Sequence, residues 1–311
     1  MMIDKRLIGT VSESRKYIAG NVVCQWCSLA ANIVMMTALT SLLAALLTDA
    51  SALVMPAVMT ACLALVVRFL CAIGSARMSY LSSRAVKRTL RERIYGKLLR
   101  LGVSYREQAA TSEVVQVAVE GADQLETYFG AYLPQFFYAM LAPLTLFACL
   151  SFVNVPCAVA LLVCVPLIPV AIAAVQTWAK KLLSKYWGQY TALGDTFLEN
   201  LQGLTTLKIY QADGFKQREM NEQAEKFRKI TMKVLTMQLN SVTLMDLMAY
   251  GGAGLGIISA VAAFAAGRLT LTATLTIVLL AADFFLPLRL LGSYFHIAMN
   301  GAASAEKIFK L

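Results

Sequence analysis

Five ionisable residues lie within apolar stretches of the sequence, where a charged side chain is costly and usually serves a function. They are Arg68, Asp246, Asp283, Arg289 and His296, which is the only histidine. A charge in such a place can line a cavity and bind a charged solute. Asp283 lies near the middle of its stretch and has the shortest reach to a membrane surface, so it is the strongest candidate for a cavity wall.

Structural roles are the alternatives for the same side chains. Arg68 lies near one end of its apolar stretch, where its guanidinium can extend to the membrane surface. Asp246 and Arg289 can form an ion pair with each other instead of lining a cavity. Both possibilities stay open from the sequence alone.

Catalytic chemistry of the kind found in soluble enzymes has no support in the sequence. There is no GxxxxGK[ST] phosphate-binding loop, and no cluster of His, Asp and Glu suits a catalytic or metal site. The GGAGLG run at residues 251–256 resembles a dinucleotide-binding motif, but no strand precedes it and it lies in an apolar stretch. Close helix packing through small residues explains it better. We therefore expect no catalytic residue, metal site or cofactor in this chain.

The elements that hold these residues are long hydrophobic segments. Of the 311 residues, 59% are hydrophobic, which exceeds the usual share in a soluble domain. About 20 apolar residues cross a bilayer core, and the period-two alternation of a transmembrane barrel is absent. We therefore predict an all-α membrane protein that begins with a short amphipathic segment over residues 1–16. Six membrane-spanning helices follow, at about residues 17–47, 52–73, 133–153, 155–178, 240–266 and 269–299.

The net charge of +10 has an explanation that needs no nucleic acid. Nine Lys and Arg residues fall within residues 77–106 and ten within residues 180–233, whereas the predicted outer segments carry only Arg268. This asymmetry follows the positive-inside rule and places both termini in the cytoplasm. Interleaved aromatic residues and a nucleic-acid-binding motif are missing, so the expected surroundings are a lipid bilayer and not nucleic acid.

Two long cytoplasmic connections, at about residues 74–132 and 179–239, are predicted to continue the spans as helices. Leu193, Phe197, Leu201, Leu204 and Leu207 recur at the 3.6-residue period of a helix. We expect this leucine-rich stripe to pack on neighbouring extensions. Each extension is broken by a polar segment, at residues 102–112 and 212–219, and so forms a tip far from the membrane. A tip held at that distance indicates a binding partner.

This arrangement of six spans, tiny outer turns and two long cytoplasmic extensions resembles the transmembrane domain of an ABC exporter of the type IV fold. Four segments are similar to the CydD-type subunits in particular. That branch is associated with export of cysteine and glutathione and with cytochrome bd assembly. The resemblance extends from about residue 16 to the end of the chain, and the segments are YFGAYLPQ (128–135), PLIPV (166–170), FLENLQGLTTLKIYQA (197–212) and FFLPLRLLGSYFHIAMNGAASAEKIF (284–309).

The resemblance implies that the two tips are coupling helices, which sit in grooves on nucleotide-binding domains. The first maps to residues 105–111, and the second maps to residues 213–220 and reaches across to the partner subunit's domain. Two chains, identical or paired with a CydC-like subunit, would form a domain-swapped dimer around one substrate path in the bacterial inner membrane. The residues assigned to the tips are Tyr105, Arg106, Glu107, Asp213, Gly214, Phe215 and Lys216.

The family also implies where ATP is used. The sequence stops at Leu311, about where the linker to a nucleotide-binding domain would begin. We therefore expect ATP and Mg²⁺ to bind at a fused or separate nucleotide-binding domain, and hydrolysis to occur there. One departure from the family pattern is the first tip, which carries REQAATSEV where many exporters have an acidic–glycine motif.

Several hypotheses for the solute and the class of protein remain open. For cysteine or glutathione, Arg68 or Arg289 would pair with substrate carboxylates. A lipid or a hydrophobic drug is the alternative, because the spans are apolar and rich in methionine, which adapts to many shapes. A secondary transporter would show inverted repeats, and a membrane scaffold would need a sensor or output domain. The sequence indicates neither.

Overall fold

The structure is a computed structural model that describes residues 12–47, 54–102 and 117–294, together with residues 297, 301 and 305. Every element in these residues is helical, and the described part of the chain contains no strand. Two π-helical turns, Val117–Gly121 and Tyr128–Tyr132, flank the short helix Ala122–Thr127. The 3₁₀ turn Ala282–Phe284 joins the last two helices. The helices are α1 (Ser12–Leu47), α2 (Val54–Leu101), α3 (Ala122–Thr127), α4 (Leu133–Ser151), α5 (Val155–Cys164), α6 (Leu167–Gln202), α7 (Leu204–Ile209), α8 (Asp213–Ala265), α9 (Leu271–Ala281) and α10 (Leu286–Ser293).

Five helical segments among the described residues are long and apolar enough to cross a membrane. They coincide with five of the six predicted spans. α2 has 48 residues and α8 has 53, far more than the roughly 20 that a bilayer requires. The predicted helical continuation of the second and fifth spans is therefore present. The five segments are Glu13–Leu47, Val54–Leu101, Ala122–Ser151, Asp213–Ala265 and Leu271–Ser293.

The fourth predicted span, residues 155–178, is not one continuous helix. α5 ends at Cys164 and α6 begins at Leu167, with a turn at Val165 and Pro166. Pro166 has no N–H to continue the helical ladder. The Val165 N–H bonds the Leu162 carbonyl at 3.1 Å, three residues back instead of four. The helix therefore breaks at a proline that is visible in the sequence.

Capping groups set two of the short turns between spans. The Asn154 side chain accepts a hydrogen bond from the Cys157 N–H at 3.1 Å and so begins α5. After α8, Gly267 adopts a left-handed φ of 71°, and the Arg268 N–H bonds the Ala263 carbonyl at 2.9 Å. The turns predicted at residue 154 and residues 267–268 are confirmed, whereas the turn predicted at residues 48–51 lies outside the described residues.

The chain forms two compact units, one of residues 1–166 and 249–311 and the other of residues 167–248. In the first unit, α1 and α2 pack along one another through small residues. A Cβ on Gly20 would lie 3.3 Å from Met78 Sδ, and a Cβ on Gly74 would lie 3.2 Å from Cys24 Sγ. These glycines let the two backbones approach closely, as small residues do in membrane helix pairs.

The π turn Tyr128–Tyr132 binds α2 through serine hydroxyls. Ser79 Oγ donates to the Gly130 carbonyl at 2.5 Å, and Ser83 Oγ donates to the Glu126 carbonyl at 3.1 Å. A Cβ on Gly130 would lie only 2.1 Å from Ser83 Oγ, so a larger residue here would require the Ser83 side chain to move.

The GGAGLG run packs helices closely, as the sequence predicted. A Cβ on Gly252 would lie 2.6 Å from the Phe285 ring, and one on Gly256 would lie 2.2 Å from Leu161 Cδ2. Leu161 and Phe285 are buried. By contrast, a Cβ on Gly254 would meet no atom within 4 Å. Two of the glycines therefore lie at close contacts between helices, which supports the packing interpretation of the run.

The second unit is held together by α6 and the first part of α8. Val234 and Met237 of α8 are buried against Leu182, Leu183 and Tyr186 of α6. The rings of Tyr186 and Tyr190 also contact Phe227 at 5.4 Å and 5.8 Å between centroids. This contact uses one face of α6.

The leucine-rich stripe occupies a different part of the α6–α7 surface. Phe197, Leu201 and Leu204 are 54%, 58% and 50% exposed. Within the second unit, α8 contacts another face of α6, the one that carries Leu182, Leu183 and Tyr186. The expectation that the stripe packs on neighbouring extensions stays a prediction.

Candidate functional site

Two of the predicted residues, Arg68 and Asp283, are joined by a third residue, Asn32. Arg68 Nη1 donates to Asn32 Oδ1 at 2.7 Å, and Asn32 Nδ2 donates to Asp283 Oδ2 at 2.6 Å. Asn32 is only 5% exposed, so both ends of its amide are satisfied by protein groups inside the unit. We call this set the Arg68–Asn32–Asp283 bridge. It joins α1, α2 and the 3₁₀ turn before α10.

The bridge keeps two opposite charges apart. Among the described residues, neither Arg68 nor Asp283 forms an ion pair within 4.0 Å. A guanidinium only donates and an ionised carboxylate only accepts, so the Asn32 amide is oriented by its two partners. Charges inside membrane spans usually pair or face a polar cavity. Here they face a cavity.

Local sequence explains where Asp283 lies. Pro287 has no N–H, so the helix cannot continue through this point with a regular ladder. The chain instead forms the Ala282–Phe284 turn, in which the Phe285 N–H bonds the Ala282 carbonyl at 3.0 Å. Gln135 Nε2 of α4 donates to the Pro287 carbonyl at 2.8 Å. The proline and its partner therefore fix the turn that presents Asp283.

A small cavity of about 160 Å³ surrounds the bridge. Arg68 is exposed and Asp283 is half-buried, so both charges remain accessible from the cavity. Apolar side chains of α10 and the hydroxyl groups of Ser28 and Tyr138 complete the wall. The residues that line it are Ser28, Leu29, Asn32, Arg68, Tyr138, Asp283, Leu286, Pro287 and Leu290.

A larger cavity of about 430 Å³ shares Ser28 and Tyr138 with the small one. Its volume falls in the range of small-molecule sites, which is about 300–1,000 Å³. Amides, hydroxyls and one thiol dominate its wall, and the described residues of that wall include no Asp, Glu, Lys or Arg. The polar members are Asn21, Gln25, Ser28, Cys71, Ser75, Ser79, Gln135, Tyr138 and Tyr294.

One buried acceptor in the larger cavity lacks a partner. Ser75 Oγ and Gln25 Nε2 both donate to Asn21 Oδ1, at 2.6 Å and 2.9 Å. Gln25 Oε1 is buried and accepts no hydrogen bond within the described part of the chain. An unsatisfied buried carbonyl costs about 1–3 kcal/mol.

The α1 residues that line both cavities were not among those predicted from the sequence. Asn21, Gln25, Ser28 and Asn32 are spaced at intervals of four, three and four residues, which places them on one helix face. That polar stripe within an apolar span was a usable signal. Charged residues in a span are easier to recognise, because burying a charge costs more free energy than burying an uncharged amide.

The other three cavity candidates are not part of the bridge. The Arg289 guanidinium lies over the Tyr250 ring, 5.7 Å from its centroid. Asp246 belongs to the second unit, so the Asp246–Arg289 ion pair stays a prediction. His296 lies outside the described residues.

The second predicted tip is a turn followed by the start of α8. The Ala212 N–H bonds the Leu207 carbonyl at 2.9 Å, and Gln211 adopts a left-handed φ of 52°, a position that usually carries glycine. The Lys208 ammonium pairs with Asp213 and holds the pKa of that carboxyl below its usual value, first through a direct hydrogen bond. These contacts fix the turn.

The apolar side chains at this turn face solvent. Phe215 is 63% exposed, and Ile209 and Tyr210 are 72% and 76% exposed. Lys216 pairs with Glu219 at 2.9 Å instead of covering Phe215. The first predicted tip, with Tyr105, Arg106 and Glu107, lies outside the described residues.

Comparison with known proteins gives consistent matches. The ABC transporter transmembrane region family matches residues 17–288. A Haemophilus influenzae protein described as an uncharacterized ABC transporter ATP-binding protein is 55% identical over 261 residues, which cover 84% of this chain and 46% of that protein.

Two more distant relatives are described as glutathione/L-cysteine transport system ATP-binding/permease proteins. CydC of Bacillus subtilis is 25% identical over 224 residues, which cover 70% of this chain and 39% of CydC. CydD of Escherichia coli is 24% identical over 242 residues, which cover 75% of this chain and 41% of CydD. The chain thus spans less than half the length of each of these relatives.

The family match covers most of the chain, including the three residues of the bridge and most residues that line the two cavities. The resemblance to an ABC exporter membrane domain is confirmed by it. The chain therefore belongs to the ABC transporter transmembrane region family.

Proposed function

We propose that this chain, through its domain at residues 17–311, is the membrane-spanning half of an ATP-driven exporter of small polar thiols of the cysteine and glutathione type. The observation that carries the proposal is the pair of adjoining cavities lined by amides and hydroxyls on otherwise apolar helices. Amides and hydroxyls in their walls suit a hydrogen-bonding solute. A lipid or hydrophobic drug would leave these polar groups unpaired, which is costly.

The relatives support the choice of solute. CydC of B. subtilis and CydD of E. coli are named as parts of glutathione/L-cysteine transport systems. Cys71 places a thiol in the wall of the larger cavity. The charged bridge offers both a cation and an anion to a solute that carries both charges.

Coupling to ATP is assigned to the tips. Phe215 is a large apolar side chain exposed on a polar turn, which suits an apolar groove on a nucleotide-binding domain. Asp213, Gly214 and Lys216 would flank it in that groove. The first tip, with Tyr105, Arg106 and Glu107, would contact a nucleotide-binding domain as well. ATP and Mg²⁺ would bind there and not in the membrane.

A second transmembrane subunit completes the proposed transporter. The exposed leucine-rich stripe, with Phe197, Leu201 and Leu204, is a surface on which its cytoplasmic helices would pack. The partner would be a second copy or a CydC-like chain, in a domain-swapped arrangement. The assembly would lie in the bacterial inner membrane with both termini in the cytoplasm, an orientation that the clusters of Lys and Arg at residues 77–106 and 180–233 support.

Inside-out membrane vesicles that contain the assembled transporter test this proposal. ATP should drive accumulation of labelled L-cysteine or glutathione inside the vesicles, and a non-hydrolysable ATP analogue should not. Vesicles without the transporter are the control. Accumulation of a lipophilic dye, with no accumulation of either thiol, would favour the alternative solute class and contradict the proposal.

A further inference from the structure

We propose that the Arg68–Asn32–Asp283 bridge binds the head group of an α-amino acid, with the carboxylate on Arg68 and the ammonium on Asp283. The inference rests on the proposed function and adds the chemical class to which the solute belongs. The head group would occupy the small cavity, and the rest of the solute would occupy the larger one.

The Asn32 amide already presents the two groups that such a head group carries. Its oxygen accepts from Arg68 at 2.7 Å, and its nitrogen donates to Asp283 at 2.6 Å. A zwitterionic head group offers a carboxylate acceptor and an ammonium donor in the same order. It adds a full charge at each end, and charge-assisted hydrogen bonds are the stronger kind.

The bridge has capacity for a solute beside Asn32. A guanidinium carries five N–H groups and a carboxylate carries two oxygens, while the amide occupies one group of each. Arg68 is exposed and Asp283 is half-buried, so neither charge is sealed in the protein. A solute can therefore add contacts without displacing Asn32.

The separation of the charges favours ligand binding over a purely structural role. Two intramembrane charges are most simply neutralised by a direct ion pair. Among the described residues, Arg68 and Asp283 form no such pair within 4.0 Å. A zwitterion would supply the opposite charge to both residues at once.

The adjoining cavity defines the rest of the solute. Ser28 and Tyr138 belong to both walls, so the head group and its substituent have connected space. The described wall of the larger cavity is polar but has no Asp, Glu, Lys or Arg, which suits an uncharged polar substituent near the head group. Free cysteine and the γ-glutamyl end of glutathione both carry an α-amino acid head group.

Binding of matched compounds to the purified assembled transporter in lipid nanodiscs tests this inference. Thermal stabilisation would be followed against the concentration of L-cysteine, L-serine, cysteamine and 3-mercaptopropionate. Cysteamine lacks the carboxylate and 3-mercaptopropionate lacks the ammonium. Because a hydrogen bond to a charged group contributes about 1.5–3 kcal/mol, each of these two should bind at least about tenfold more weakly than L-cysteine. L-serine should bind within about tenfold of L-cysteine.

Two variants assign each end of the head group. Arg68→Gln should lower the affinity for L-cysteine to about that for cysteamine, and the affinity for cysteamine should stay unchanged. Asp283→Asn should lower the affinity for L-cysteine to about that for 3-mercaptopropionate, and the affinity for 3-mercaptopropionate should stay unchanged. Arg268→Gln removes one positive charge in the outer turn and is the matched control, which should bind all four compounds as the parent does.

Equal binding of all four compounds to the parent transporter would overturn the inference, and this result needs no variant to fold. Variants that keep the full preference for L-cysteine would also overturn it. Thermal stabilisation does not depend on transport, so a transporter that recognises the head group but accumulates no thiol would contradict the proposed function alone. Thiol accumulation in vesicles, combined with equal binding of all four compounds, would contradict this inference alone.

Discussion

Asn32 in α1 donates a 2.6 Å hydrogen bond to Asp283 in the turn before α10, although 251 residues separate them in the chain. Because Asn32 also accepts from Arg68 of α2, one amide joins three chain segments. The bridge is therefore both a contact between these segments and part of the wall of the small cavity.

Replacing Asn32 with leucine should destabilise the first unit. Leucine has a similar size but cannot accept from Arg68 or donate to Asp283, so two charged groups lose a partner each. The expected cost is about 1–3 kcal/mol. The measurement is the thermal unfolding midpoint of the purified transporter in detergent.

Thr37→Val on the same helix is the control for that substitution. Thr37 is exposed and its hydroxyl bonds only backbone carbonyls of its own helix, at 3.0 Å and 2.9 Å. Its midpoint should match that of the parent. If the Asn32→Leu variant has the same midpoint as the control, the bridge does not stabilise the fold.

The charged half of the site was predictable from the sequence, whereas its geometry was not. Arg68 and Asp283 stand out because a charge in an apolar span is expensive. Nothing in the local sequence of either residue shows that Asn32 lies between them, since that contact depends on the register of helices far apart in the chain. The stripe of Asn21, Gln25, Ser28 and Asn32 was visible, but its partners were not.

The fold was predictable to a similar degree. Apolar length predicted five spans that the structure contains, and the GGAGLG run was correctly interpreted as packing. The π turn at Tyr128–Tyr132 was not predicted. The π turn depends on donors from α2, such as Ser79, which local periodicity does not include. The exposed leucine-rich stripe shows that a periodic face predicts a helix but not what covers it.

Gly256→Ala should destabilise the transporter through overpacking. The new Cβ would lie 2.2 Å from Leu161 Cδ2, and Leu161 is fully buried. The buried Leu161 side chain would have to move into its packed surroundings, and overpacking of this kind costs about 1–3 kcal/mol. The thermal unfolding midpoint should fall accordingly.

Gly254→Ala offers a matched control two residues away. A Cβ at this position meets no atom within 4 Å, so the same chemical change should leave the midpoint unchanged or raise it slightly, as alanine favours helix over glycine. Equal effects at the two positions would mean that α5 does not pack against Gly256 as described.

Phe215→Ala should uncouple ATP hydrolysis from transport. Phe215 is 63% exposed at the start of α8, so its loss should leave the fold and the thermal midpoint unchanged. Thiol accumulation in vesicles should fall several-fold, while ATP hydrolysis continues without stimulation by the solute, because removing a buried aromatic anchor at an interface typically costs about 2 kcal/mol or more.

Phe264→Ala makes the same change at the other end of α8, where the ring is 42% exposed. This control should transport and hydrolyse ATP as the parent does. Unchanged thiol accumulation in Phe215→Ala would contradict the assignment of the second tip.

The accessibility of Cys71 tests most directly whether the polar cavities are the solute path. A transporter that retains only Cys71 would be treated with a charged methanethiosulfonate reagent from the cytoplasmic side, and one that retains only Cys157, which is 3% exposed, would serve as the control. Cys71 lines the larger cavity and should be modified without nucleotide, and trapping with ATP and vanadate should abolish its modification from that side as the cavity turns outward. A Cys71 that reacts no faster than Cys157, or at a rate that nucleotide does not change, would contradict the account.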